Sequence, residues 1–150
     1  MADLRDMYQE VILEHAKSPR NFRALPQPSG KAEGHNPLCG DRCTVFINTK
    51  DGVINDISFE GSGCAISRAS ASLMTQSLKG KTLEEAEQMF HTFHELVTGR
   101  NSPDAPQTDI GKLKVFAGVS EFPARVKCAT LAWHTLQAAL HGDSASVSTE

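Results

Sequence analysis

Cys39, Asp41 and Cys43 stand at alternate positions of the stretch NPLCGDRCTVFIN, residues 36–48. Thiols and carboxylates are metal donors. A thiol is also a nucleophile once deprotonated, which an unperturbed cysteine reaches near pH 8.5. Side chains two apart in an extended segment point to the same side, so Cys39 and Asp41 can serve one site. The spacing is not the Cys-x-x-Cys of redox motifs or zinc knuckles. Two further cysteines, Cys64 and Cys128, follow at long range. Three thiolates and one carboxylate would make a four-coordinate set. Zinc accepts thiolate sulfur at about 2.3 Å and carboxylate oxygen at about 2.0–2.2 Å, usually as a tetrahedron. The spacing alone leaves two readings open: a metal site, or cysteines scattered through a core, where free thiols often sit.

The elements that must position these residues are legible in outline. Leu4, Met7, Tyr8, Val11, Ile12 and His15 share one face at helical period, which predicts a helix over 4–17 that Pro19 stops. Residues 23–36, rich in Pro, Gly and Ser, predict a loop or a short edge strand. Residues 42–60 read as an antiparallel hairpin, with CTVFIN and VINDISFE as strands around the turn TKDG. A helix is expected from near Cys64 to Gly80, and a second over KTLEEAEQMFHTFHELVTG, where Thr82 and Glu85 form a capping-box signature and Gly99 marks the end. Residues 100–120 read as a connector with a short helical piece. A last helix begins around FPARVKCATLAW with Cys128 in an early turn. The order predicts an α+β fold, a small antiparallel sheet of about three strands with helices packed on one face. The start of one hairpin strand lies beside the end of the next, so Cys39 and Cys64 can meet at the open end. Cys128 joins them if the last helix starts there.

The 150 residues suit a single domain over 1–142, with the polar tail 143–150 expected to be disordered. A formal charge of −3 gives no reason to expect nucleic-acid binding. No stretch approaches the roughly 20 apolar residues that cross a bilayer, so no membrane association is expected. The first residues carry acids early and lack an apolar signal core. The expected location is cytoplasmic, where thiols stay reduced and four cysteines point to metal binding, catalysis or burial rather than disulfides.

Three segments, NPLCGD (36–41), GSGCAISRASASLM (61–74) and FPARVKCATLAW (122–133), resemble the cysteine motifs of the U-type iron–sulfur cluster assembly proteins, the IscU/NifU N-terminal-like family. The resemblance is closer to the SufU branch than to the IscU branch. IscU proteins carry a histidine before the third cysteine, where this chain has Lys127, and an LPPVK-type stretch of which FPARVK is a distant echo. Residues 99–119 look like the insertion of the SufU branch. The similarity runs from about Leu4 to Leu140. It implies the SufE/NifU (IscU-like) fold and a zinc site of Cys39, Asp41, Cys64 and Cys128. It also implies a sulfurtransferase-like role, accepting persulfide sulfur from a pyridoxal-phosphate cysteine desulfurase of the SufS type and passing it to a downstream iron–sulfur scaffold. Cys39 matches the sulfur-accepting cysteine, and Arg125 a supporting position at the partner interface. Cys43 departs from the family pattern and is expected in the core, with an auxiliary thiol beside the site as the alternative.

Three thiolates and a carboxylate around a dication leave a formal charge of −2, which favours nearby cations such as Arg42, Arg125 and Lys127. A fully coordinated thiolate is blocked from attack, so Cys39 would have to leave the metal before meeting a persulfide. The first rival reading is a scaffold on which the same ligands transiently hold an iron–sulfur cluster. A purely structural zinc module and a metal-free thiol enzyme are the others. His91 and His94 are expected as solvated surface, and His134 on a different helix face from Cys128. His35 is the one substitute for Asp41 as fourth ligand, while Trp133 and Phe116 are expected in the core.

Overall fold

The computed structural model describes residues 4–37, 40–99, 110–141 and 147–148. Helix α1 spans Leu4–Lys17. Three strands follow, β1 (Gly30–Asn36), β2 (Asp41–Lys50) and β3 (Val53–Ser62). Helices α2 (Ala65–Leu78) and α3 (Leu83–Thr98), a 3-10 segment (Gly111–Glu121) and helix α4 (Pro123–Leu140) complete the body. The sheet order is β3-β2-β1-β4, in which β4 is the two-residue Val147–Ser148. The first three strands pair antiparallel, and β4 lies parallel to β1 at Gly34 and His35.

The α+β architecture therefore stands as the residue patterns require. The segment 23–36 resolves into a strand from Gly30 onward, because Ala32, Gly34 and Asn36 alternate inward against exposed Lys31, Glu33 and His35. Helix α3 opens on the capping box, Thr82 Oγ1 accepting the Glu85 N–H at 3.0 Å, and closes at left-handed Gly99. Of the expected connector, residues 100–109 lie outside the described residues. The remainder adds Leu113, Val115, Phe116 and Val119 to the core. Of the tail 143–150, only Val147 and Ser148 are described, and they pair with β1; the rest of the expected tail lies outside the described residues.

The core lies between the sheet and the helices, where Trp133 stacks on Phe93 at 4.8 Å between ring centroids and Phe116 meets Phe93 edge-on. Helix α4 crosses β1 at close range. A Cβ at Gly34 would collide with Thr135 Oγ1, and one at Gly30 would come within 2.6 Å of the Ala139 carbonyl oxygen. Two side-chain-free positions four apart thus let α4 lie against the strand. Ser70 Oγ, donating to the Ala129 carbonyl, ties α2 to α4. These contacts set the early turns of α2 and α4 beside the end of β1. Helix α1 is fastened to α2 by buried His15, whose Nδ1 lies 2.7 Å from Ser72 Oγ.

Candidate metal centre

The hairpin register accounts for the convergence. Asn36 faces Asp41 across β1–β2, and Arg42 faces Ser62 across β2–β3. The first residue of β2 therefore lies beside the exit of β3, two residues before Cys64. Asp41 is 0% exposed, and its Oδ1 accepts the Cys64 backbone N–H at 2.8 Å. A Cβ at Gly63 would strike that carboxylate, so the loop needs glycine there to approach so closely. The other oxygen, Oδ2, lies 3.8 Å from Cys64 Sγ. Cys128, 2% exposed, enters from the second turn of α4. One ligand atom from each of Asp41, Cys64 and Cys128 lies within 4.8 Å of the others.

Cys64 is the N-cap of α2, with its sulfur accepting the Ser67 N–H at 3.4 Å. Capping places the sulfur at the positive end of the helix dipole, which favours the thiolate. The Cys64 thiol is brought down to about 7, chiefly because the Cys128 thiol donates to it. Backbone N–H groups of Ser67 and Ile66 act in the same direction, against burial and the Asp41 charge. Cys43 behaves oppositely. It lies in the core at 4% exposure, and burial pushes its thiol up to about 12. Of the two places open to Cys43, the core is the one it occupies.

The donor set fits a zinc ion. Bond lengths of about 2.0–2.3 Å at a tetrahedral angle separate neighbouring donors by about 3.5–3.8 Å, the range of the Cys64–Asp41 approach. Asp41 is fully buried, yet among the described residues no Lys, Arg or His lies within ion-pair distance of it. A buried carboxylate between sulfurs needs a cation, and a metal supplies one.

Cys39, the fourth ligand that the resemblance implies, lies outside the described residues. His35 points to the exposed face of β1, away from Asp41, and so does not replace it. Arg42 and Arg125 are exposed, Arg125 with its guanidinium 4.7 Å over the Phe122 ring, and Lys127 is half-buried. His91 is exposed as expected. His94 is instead half-buried, stacked on Phe90 and 5.9 Å from the His134 ring, because α4 covers that side of α3. The residue that sequence reasoning passed over is Asn36. It is 0% exposed, with Nδ2 3.4 Å from Asp41 Oδ2 and 3.5 Å from Cys128 Sγ. The available signal was its place opposite Asp41 across the turn.

Among the described residues, no helix is long and apolar enough to cross a membrane. The sequence pattern of the NifU-like N terminal domain matches residues 7–129. The chain is 43% identical over 136 residues to the zinc-dependent sulfurtransferase SufU of Bacillus subtilis, covering 91% of this chain and 90% of that one. It is 37% identical over 140 residues to the iron-sulfur cluster assembly scaffold protein IscU of Streptococcus pyogenes, covering 93% and 86%. Among solved structures, an N-terminal NifU-like protein from Brucella abortus superimposes with a TM-score of 0.82 at 26% identity, over 94% of this chain and 97% of that one. From its motifs, its fold and these similarities, the chain belongs to the NifU-like N-terminal domain family of iron–sulfur cluster assembly proteins.

Proposed function

We propose that this chain is a zinc-holding sulfur acceptor, which takes the outer sulfur of a persulfide carried by a pyridoxal-phosphate cysteine desulfurase and relays it towards iron–sulfur cluster assembly. The observation that carries this reading is a fully buried carboxylate beside the sulfurs of Cys64 and Cys128, with no side-chain cation in reach among the described residues. The similarity to a zinc-dependent sulfurtransferase over nine-tenths of both chains supports it.

In this reading Cys39, Asp41, Cys64 and Cys128 hold the ion. Cys39 is two residues from Asp41 in the sequence, so their Cα atoms can be at most about 7 Å apart. Bound zinc would keep the thiols deprotonated without oxidising them. Cys39 is the acceptor. Once free of the metal, its thiolate attacks the terminal sulfur of the partner's persulfide, that S–S bond breaks, and the partner's cysteine leaves as thiolate while a new S–S bond forms on Cys39. No electrons are gained or lost overall. Arg125, exposed near the start of α4, takes the supporting role at the partner interface in this reading. A SufS-type desulfurase as donor, a downstream scaffold as recipient and a reducing cytoplasm as setting complete the proposal.

The test is Cys39→Ala, assayed with a cysteine desulfurase for alanine release and for gain of one sulfur in mass. Loss of both is expected, and sulfur uptake at the normal rate would remove Cys39 from its role. The scaffold reading is favoured by the similarity to IscU proteins. Metal analysis and a visible spectrum separate the two: a colourless protein with one zinc supports transfer, and a brown one with iron and sulfide supports the scaffold.

A further inference from the structure

We propose that Asn36 is a positioning residue of this centre: its one side-chain amide clamps Asp41 and Cys128 into a fixed pair. The proposal rests on the zinc reading above and deepens it.

Asn36 ends β1 and lies opposite Asp41 in the strand register, so the two side chains share a face. Its own carbonyl accepts the Gly40 N–H at 2.8 Å, which anchors the residue at the turn. An amide NH2 carries two hydrogens. Among the described residues the nitrogen reaches two acceptors, Asp41 Oδ2 at 3.4 Å and Cys128 Sγ at 3.5 Å. Asp41 Oδ1 is already held by the Cys64 N–H, so Oδ2 is the oxygen turned towards the sulfurs. Both acceptors are anionic in the metal-bound state, where N–H donors are strongest.

The chemistry explains an amide at this position. A lysine would set a competing cation among the ligands, an aspartate would add a further anion, and a leucine would withdraw this donor from Oδ2 and Sγ. A neutral donor orients two ligands and does not displace the ion. Cys64 is held differently. It is half-buried, and its sulfur receives a backbone N–H from its own helix. Asp41 and Cys128 are thus held as a pair by one donor.

Asn36→Leu and Asn36→Ser test this. Zinc affinity is measured by competition with a chromophoric chelator. The cobalt(II)-substituted protein reports coordination through its visible bands, and circular dichroism of the metal-free protein reports the fold. Zinc affinity ten- to a hundredfold weaker is expected, the usual cost of losing an outer hydrogen bond to a ligand. Shifted cobalt bands and an intact fold should accompany it. A folded variant with affinity within twofold of wild type and unchanged bands overturns the proposal. So does failure of both metal-free variants to fold, which would make Asn36 a fold-closing residue. If the wild-type protein itself takes up no zinc, the functional reading fails first, and the clamp with it.

Discussion

Asp41 Oδ1 accepts the backbone N–H of Cys64 at 2.8 Å, across 23 positions of sequence. This bond ties the first residue of β2 to the N-cap of α2, and Gly63 makes room for it. Gly63→Ala would drive a methyl group into the Asp41 carboxylate. The expected result is a destabilisation of about 1–3 kcal/mol, typical of overpacking, together with weaker zinc retention. Urea unfolding and metal content after dialysis measure the two effects. A variant as stable and as metal-loaded as wild type would show that the carboxylate can move freely.

The cysteines should separate by reactivity. In metal-free protein at pH 7.5, iodoacetamide is expected to modify Cys64 well before Cys43. The Cys64 thiol is brought down to about 7 by its hydrogen bonds, and the Cys43 thiol is pushed up to about 12 by burial. Peptide mass spectrometry over a time course reads the order directly. Cys43→Ala should leave sulfur uptake intact and cost about 1 kcal/mol of stability, since it removes one small buried group. Uptake lost in that variant would restore Cys43 as an auxiliary thiol.

How much of this was legible beforehand follows from what each residue's signal depends on. The helix over 4–17 and the hairpin were readable because their apolar periods are local. The expected meeting was that of Cys39 with Cys64, and Cys39 lies outside the described residues; the same hairpin geometry, which brings strand start and strand end together, sets Asp41 against Cys64. β1 was ambiguous because its inward positions are Ala32, Gly34 and Asn36, which carry almost no apolar alternation. The glycine at 34 serves α4 rather than the sheet. The half-burial of His94 was illegible because it depends on which side of α3 the last helix covers. Asn36 was missed for a related reason. An asparagine before a proline reads as a turn residue, and only the cross-strand register turns it inward onto Asp41.

Stability of the metal-free protein should rise with pH through the histidine range. Burial, with the Arg20 charge beside it, holds buried His15 below its ordinary value. Burial and His94 do the same to His134. The unfolded chain therefore binds these protons at a higher pH than the folded one does. The stability is fully present above the unfolded value of about 6.5 and is lost as pH falls through the folded values. Urea unfolding with metal chelated should give a larger free energy at pH 7.5 than at pH 5.5. His15→Gln should flatten that dependence. It should also cost about 1 kcal/mol at pH 7.5 through the lost contact with Ser72. An unchanged pH slope in the variant would mean that His15 is not the group responsible.

Zinc removal supplies the most direct check on the site as a whole. The three described candidate donors come from the start of β2, the cap of α2 and the second turn of α4, so an ion held among them would tie together elements that the unfolded chain does not bring together. A ligand that binds only the folded state stabilises by mass action, by about 2.7 kcal/mol at a free concentration one hundred times Kd. For a domain of this size each kcal/mol moves Tm by about 2–4 °C, so chelation should lower Tm by roughly 5–11 °C and zinc should restore it. Cys64→Ser should unfold near the chelated value with or without zinc, because one of the strong donors is gone. Equal Tm values for chelated and zinc-loaded wild-type protein would mean that no ion bridges these elements. The buried Asp41 carboxylate would then need another counter-charge.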